Sequence, residues 1–270
     1  MSQTIANLNP NKVLIIGASG SGKSYGMRHL PPSMTVVICP DQKALPFRGF
    51  GTKYKQQVIG PNNPPNKGNF FATTDPTQVL QIMKFVNDQR PEIKFLVVDT
   101  VTAMLLNDVM YKTAVSGWDK WNDLAVNAWD IIRAPDGYRE DLFVYINAHT
   151  DPVMAEMGKS EFFVPGGKIM KQKMRPEIYF TTVLETEVEV MGNDIDYYFC
   201  TQNNGHNMAK SPPSLFGGKR LIPNDLMLVA KAMRAYNEDR DFDLDAEIEF
   251  LKTVPDMPDS IPIMPSKSKK

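Results

Sequence analysis

KVLIIGASGSGKS, Lys12 to Ser24, is the stretch whose reading decides the fold. Val13 to Ile16 form an unbroken apolar run, as expected of a strand buried on both faces. Directly behind it, Gly17 to Ser24 match G-x-x-x-x-G-K-[ST], the phosphate-binding loop. Glycine lets the backbone wrap closely, so that several N–H groups converge on one concavity suited to anionic oxygens. In that pattern Lys23 reaches the β- and γ-phosphates as a point charge, and the Ser24 hydroxyl goes to Mg²⁺. A helix expected from about Gly22 to the Pro31-Pro32 break would add the positive end of its dipole. A plain Gly/Ser-rich turn has the same composition, but the strand in front and the helix behind favour a nucleoside triphosphate. Gly17, Ala18, Ser19, Gly20, Ser21, Gly22, Lys23, Ser24 and Tyr25 are therefore the expected cofactor-binding residues, with ATP and Mg²⁺ as ligands.

Outward from this loop, strands alternate with helices. TVVIC (35–39) and IKFLVVD (93–99) are continuous apolar strands, and LFVYINA (142–148) is another. Between them Asp75-Pro76 reads as a helix cap and first turn, with Val79, Ile82, Met83 and Val86 on one face. Further helices are expected over 102–115 and 119–133, and GPNNPPNKGN (60–69) reads as a surface loop. Such alternation of doubly buried strands with helices means a parallel sheet covered on both faces. From about residue 178 the pattern changes. YFTTVLETEVEV alternates, MGND turns and IDYYFCTQ returns, an antiparallel hairpin at a sheet edge. IPNDLMLVAKAMRAY is the last expected helix, capped by Asn224 or Asp225. Residues 1–11 are expected to be flexible, 12–240 to form one α/β domain, and the Pro-, Ser- and Lys-rich 253–270 to be a disordered tail.

The chain has 270 residues, a formal net charge of −1 and 42% hydrophobic residues, ordinary values for a globular protein. No global basic field draws it to nucleic acid, so any such binding must come from a local patch. Cys39 and Cys200 have no metal-ligand spacing and read as buried thiols in a reducing compartment. His29, His149 and His206 are too scattered for a metal site. With no apolar run of membrane length, the expected location is the cytoplasm, with no membrane partner.

Other residues complete a triphosphate site. Asp99 closes the strand FLVVD, where a carboxylate near the phosphate loop holds Mg²⁺ directly or through water; a helix N-cap is the other reading. Asp41, just past the second strand, could orient or deprotonate an attacking water, or simply form the turn in CPDQ. Asn147 and His149 share a face at the end of their strand and are placed to sense a γ-phosphate, although a buried, hydrogen-bonded histidine would look the same.

Taken in order, GASGSGKS, FLVVDT, VYINAHTD and PGGKIMKQK resemble a RecA-fold recombination ATPase. CPDQKALPFRGF, YFTTVLETEV and TQNNGHNMAKSP with IPNDL resemble, more narrowly, the small phage-encoded RecA-like ATPases associated with single-strand annealing. The resemblance spans about residues 12–235. It implies a RecA-like P-loop NTPase core, a mostly parallel sheet flanked by helices with an antiparallel edge hairpin. It also implies DNA-stimulated ATP hydrolysis and, for a phage-encoded chain, location in the host cytoplasm. Asp41 falls where the family places a water-activating glutamate, and is one methylene shorter. Lys210 resembles the lysine that reaches a neighbouring subunit's γ-phosphate, which implies a homo-oligomer with ATP at subunit interfaces. The short segment before the first strand speaks against a long filament and leaves a ring or short DNA-templated assembly open. Residues 112–121 and 151–165 match the family's two DNA loops, and a single-strand-binding protein is a further expected partner.

Single-strand binders combine basic tracks with aromatic platforms. Lys112, Trp118, Lys120 and Trp121 offer one such mixture, and Lys159, Phe162 and Phe163 another, with the phenylalanines expected to be exposed. Lys168, Lys171, Lys173 and Arg175 add a basic run. Core packing for the tryptophans and a solvated helix face for the basic run are the alternatives. A nucleotide-switched DNA-binding module without hydrolysis and a small-molecule kinase stay open as rival functions. The kinase reading is weakened by the absence of an arginine-dense lid.

Overall fold

The computed structural model describes residues 8–60, 62–112, 119–151, 158–163 and 175–265, and for 111–112 and 119–124 the backbone alone. Eight strands form one sheet: β1 Lys12–Gly17, β2 Thr35–Ile38, β3 Phe70–Phe71, β4 Phe95–Val98, β5 Phe143–His149, β6 Thr182–Met191, β7 Asp194–Cys200 and β8 Leu221–Pro223. Their order is β3-β2-β4-β5-β1-β6-β7-β8. Every pairing from β3 to β6 is parallel, whereas β6–β7 and β7–β8 are antiparallel. The helices are α1 Phe50–Lys53, α2 Pro76–Gln89, α3 Val101–Lys112, α4 Asp119–Arg133, α5 Leu226–Asn237 and α6 Leu244–Leu251.

Alternation along the strands sorts the core into two layers. Leu14 and Ile16 of β1, with Val36, Ile38, Leu96 and Val98, pack against α2, α3 and α4. Val13 and Ile15, with Val37, Phe95, Val97 and Tyr145, pack against α5 and α6. Both faces of the parallel strands β1, β2, β4 and β5 are thus dry, which is why they read as continuous apolar runs. Asp75 caps α2 by accepting from Thr77 N at 2.9 Å, with Pro76 in the first turn. Of the two expected caps for α5, Asp225 does the capping, accepting from Met227 N and Leu228 N.

The structure corrects several expectations. The segment behind the phosphate loop is a single 3₁₀ turn, Tyr25–Met27, with no α-helix. Pro31 and Pro32 cut the segment short, and Gly26 within it is a poor helix former. The helix-dipole contribution expected there is correspondingly lost. β3, β8 and α6 were not foreseen, because two or three strand residues carry no periodicity and α6 lies in an acidic stretch. Residues 8–11, expected to be flexible, are pinned: Asn9 Nδ2 donates to Leu142 O at 3.0 Å and Asn11 N to Asn9 Oδ1 at 2.8 Å. Nor is 253–265 a loose tail. Met257 is buried, its N donates to Arg28 O at 2.6 Å, and Lys53 Nζ donates to Met257 O at 2.7 Å and Asp259 Oδ1 at 2.9 Å. A Pro-rich strap needs no internal hydrogen bonds if the body supplies partners. Among the described residues no helix is long and apolar enough to cross a membrane.

Candidate active site

The sheet order places the chemistry. β5 lies between β1 and β4, so three strand ends, at Gly17, Asp99 and His149, open at one edge of the sheet. Gly20 and Gly22 have φ of +77° and +93°, left-handed values that let successive N–H groups turn inward. Gly17 is required for another reason: a Cβ there would sit 1.7 Å from Thr186 Oγ1. At Gly22 a Cβ would meet Tyr197 Cδ1 at 2.7 Å. The edge hairpin therefore packs directly on the loop. The Ser21 and Thr186 hydroxyls lie 2.5 Å apart, and the Tyr25 and Tyr197 rings are 5.5 Å apart.

Beside the loop is a cleft of about 590 Å³, bounded by Ser19 to Tyr25, by Lys43 to Pro46, and by His149 and Tyr197. That is ample for a nucleotide-sized ligand. Lys23 curls over the loop, donating to Gly17 O at 2.9 Å and Ala18 O at 2.6 Å, with Nζ 3.2 Å from His149 Nδ1. Burial pulls its ammonium down to about 8, with Lys43 adding to the shift while Asp99 and Asp41 oppose it. Burial likewise holds the His149 imidazole down at about 4, helped by Lys23 and Lys43. His149 is therefore neutral at pH 7, and its Nδ1 accepts from the Lys23 ammonium.

Asp99 is fully buried at the end of β4. Ser24 Oγ donates to its Oδ2 at 2.6 Å and Asn147 Nδ2 to its Oδ1 at 2.9 Å. Burial raises its carboxyl above the ordinary value, against the pull of those two hydrogen bonds and of Lys43. Asn147 Oδ1 and Thr100 Oγ1 are buried close by with no hydrogen-bond partner. A hydroxyl and a carboxylate side by side, few in number and hard in character, suit Mg²⁺, which keeps most of its waters. Ser24 and Asp99 are the residues that would hold it. Among the described residues no cluster of His, Cys, Asp and Glu offers another metal site.

Asp41 sits in a tight turn after β2, where Gln42 takes a left-handed φ of +54°. Its Oδ1 accepts from Cys39 Sγ at 3.0 Å, and its Oδ2 pairs with Lys43 Nζ at 2.6 Å. Lys43, Cys39, Thr186 and Tyr197 were missed at the level of sequence. Lys43 stands two residues beyond Asp41 and was legible in principle. Thr186 and Tyr197 arrive from a hairpin more than 160 residues away, with nothing in the sequence to link them to the loop.

None of the remaining expected residues that are described lines this cleft. Lys210 bridges β6 through its backbone at Val183 and does not line the cleft of its own chain. Trp118, Lys168, Lys171 and Lys173 lie outside the described residues, as do the side chains of Lys112, Lys120 and Trp121. Lys159 is exposed and Phe163 half-buried, but Phe162 is a correction. It is only 5% exposed, bridges Thr150 and joins the core layer shared with α2, α3 and α4, so it is no free stacking platform. Because 150 and 162 pair, alternation turns the Phe162 side chain inward. Arg175 is exposed and pairs with Glu177 at 2.9 Å.

No protein-family model matches the chain, and no curated protein matches it. Among solved structures it is similar to the flagellar accessory protein FlaH from Methanocaldococcus jannaschii, at 16% identity and a TM-score of 0.38 over 80% of this chain and 84% of that one. It is also similar to a KaiC-like protein from Pyrococcus horikoshii OT3, at 12% identity and a TM-score of 0.37 over 71% and 77% of the two chains. The class rests on the chain's own topology: an α/β fold carrying a phosphate loop, with a mostly parallel sheet, an antiparallel edge and helices on both faces.

Proposed function

We propose that this chain binds ATP with Mg²⁺ and hydrolyses it while acting on single-stranded DNA, in recombination or strand annealing. The observation that carries the nucleotide part is convergence. Lys23 and His149 meet at the cleft beside the loop, and Ser24 ties the loop to Asp99 and Asn147, so that side chains from three neighbouring strand ends converge. Lys23 releases the loop carbonyls to take a phosphate, and neutral His149 keeps it oriented. Asp41 is the base that accepts a proton from water. The metal, when bound, neutralises phosphate charge, and Ser24 and Asp99 supply its protein oxygens.

The DNA part is supported by exposed Lys159 on the segment following His149, by the mixed basic and aromatic character of 112–121 and by the basic character of 168–175. Phe163 N donates to His149 O at 2.9 Å, so this segment is tied to the strand end that faces Lys23. Nucleotide state would thereby reach it. Lys210, outside its own cleft, serves a neighbouring subunit in an oligomer. One assay tests the proposal: ATP turnover with and without single-stranded DNA across a salt series. Stimulation by DNA that fades with salt and vanishes in Lys23→Ala supports it; equal turnover with and without DNA refutes it.

One observation favours a second reading, a nucleotide-switched binder that hydrolyses slowly or not at all. Both Asp41 oxygens are already engaged, by Cys39 and Lys43. Strand annealing that persists in Asp41→Asn, with no measurable turnover in the parent, would select that reading.

A further inference from the structure

Lys43 has no role assigned in the motifs above, yet it is the second lysine of the phosphate cleft. It lines the same cleft as Lys23, its side chain 49% exposed, and is held there by Asp41, whose side chain is 18% exposed. The turn that presents it is unusually determined. Gln42 accepts a left-handed φ of +54°, Gln42 N closes on Cys39 O at 3.1 Å, and the Cys39 thiol lies 3.0 Å from Asp41 Oδ1 and 3.4 Å from Lys43 O. A non-glycine residue keeps such a conformation only where its surroundings impose it, and functional turns are where this recurs. The ammonium is close enough to act on Lys23, His149 and Asp99 electrostatically.

We propose that Lys43 is a second phosphate-binding cation, selective for the terminal phosphate of a nucleoside triphosphate, and that Asp41 parks it while the cleft is free of nucleotide. This rests on the nucleotide reading above. A half-exposed ion pair is a weak hold, so a phosphate oxygen on the cleft side can take the ammonium from the carboxylate. That exchange returns Asp41 Oδ2 to solvent. The carboxylate becomes available as a base only when a terminal phosphate is present, so one contact performs both recognition and release. With Lys43 on Oδ2 the carboxylate is guarded, and Cys39 keeps Oδ1 in place throughout.

The test is equilibrium binding of fluorescent, slowly hydrolysed ATP and ADP analogues with Mg²⁺, to the parent and to Lys43→Ala, Lys43→Arg, Asp41→Asn and Asp41→Asn/Lys43→Ala. Lys43→Ala is expected to weaken the triphosphate about tenfold or more, as the loss of one charge-assisted contact predicts, and the diphosphate less than about twofold, with Lys43→Arg recovering most of the loss. Asp41→Asn, which leaves the ammonium unheld, should bind the triphosphate more tightly, and that gain should disappear in the double variant. Unchanged triphosphate affinity in Lys43→Ala, equal loss for both nucleotides, or a gain in Asp41→Asn that survives without Lys43 each overturns the proposal. Melting curves of the free variants confirm that all are folded. If the parent takes up neither nucleotide, the nucleotide reading itself fails, an outcome distinct from an indifferent Lys43.

Discussion

Asp99→Asn should make the nucleotide-free protein more stable while removing its response to magnesium nucleotide. The carboxylate lies in a fully buried position and, among the described residues, has one hydroxyl and one amide as partners and no cation in contact. Its charge is therefore carried at a cost that burial sets and two hydrogen bonds only partly offset. Asparagine is nearly isosteric. Its new N–H group would oppose the Asn147 amide, but Asn147 Oδ1 has no partner, so a flip of that side chain turns the clash into a hydrogen bond. The hydrogen-bond count is preserved and the desolvated charge is gone, a gain of about 1–2 kcal/mol. For a chain of this length that is roughly 2–8 °C in melting temperature. The sign follows from linkage: a carboxyl raised in the folded state destabilises fully above its folded pKa. The penalty fades as pH falls toward the usual value of 3.8. The gain should therefore be large at pH 7 and nearly absent near pH 4. With Mg²⁺ and ATP at about a hundred times its dissociation constant, the parent gains about 2.7 kcal/mol, while the variant stays near its free value. Thermal melts at two pH values, with and without nucleotide, give all four quantities. A free variant that melts at or below the parent at pH 7 would refute the claim that this charge is held at a cost.

Four further outcomes follow from the same geometry. Nucleotide affinity should be flat below pH 8 and fall above it: Lys23 titrates at about 8 in the free cleft, so at pH 9 about one molecule in eleven keeps the ammonium and binding weakens roughly tenfold. Titration of a fluorescent nucleotide across pH checks this, and Lys23→Ala should abolish the binding. Gly22→Ala forces a left-handed φ of +93° on a side chain whose Cβ meets Tyr197 at 2.7 Å; a loss of about 1–3 kcal/mol in denaturant melts is expected. Phe162→Ala should cost about 3–5 kcal/mol because the ring is core, whereas Phe163→Ala should leave stability near the parent and lower single-stranded DNA affinity in a filter or anisotropy assay. Thr186→Val removes the hydroxyl beside Ser21 and should weaken nucleotide binding several-fold with an unaltered fold, read by the same titration and by circular dichroism.

Much of the fold was legible because its signals are local. The phosphate loop announces itself in eight consecutive residues, since wrapping an anion in backbone N–H groups demands glycine and a lysine at set spacing. β1, β2, β4 and β5 read correctly because strands covered on both faces must be apolar at every position. Asp75-Pro76 marked the start of α2 by the same kind of near-neighbour chemistry. Other elements left no such trace. The helix expected after Gly22 is a 3₁₀ turn, and β3 is two residues long. The strap over 253–265 has the composition of a tail but finds partners on the body at Arg28 and Lys53.

The sequence by itself determined that this chain carries a phosphate loop on a parallel α/β sheet, with Asp41, Asp99, Asn147 and His149 at strand ends. Only the tertiary structure decided that Asn147 turns to Asp99 while His149 turns to Lys23, that Thr186 and Tyr197 wall the loop, that Lys43 pairs with Asp41, and that Phe162 is core. The reason is range. Spacing rules act over a few residues, where backbone geometry dictates the outcome. Which side chain meets which across the sheet depends on strand order, and that is set by the packing of the whole core.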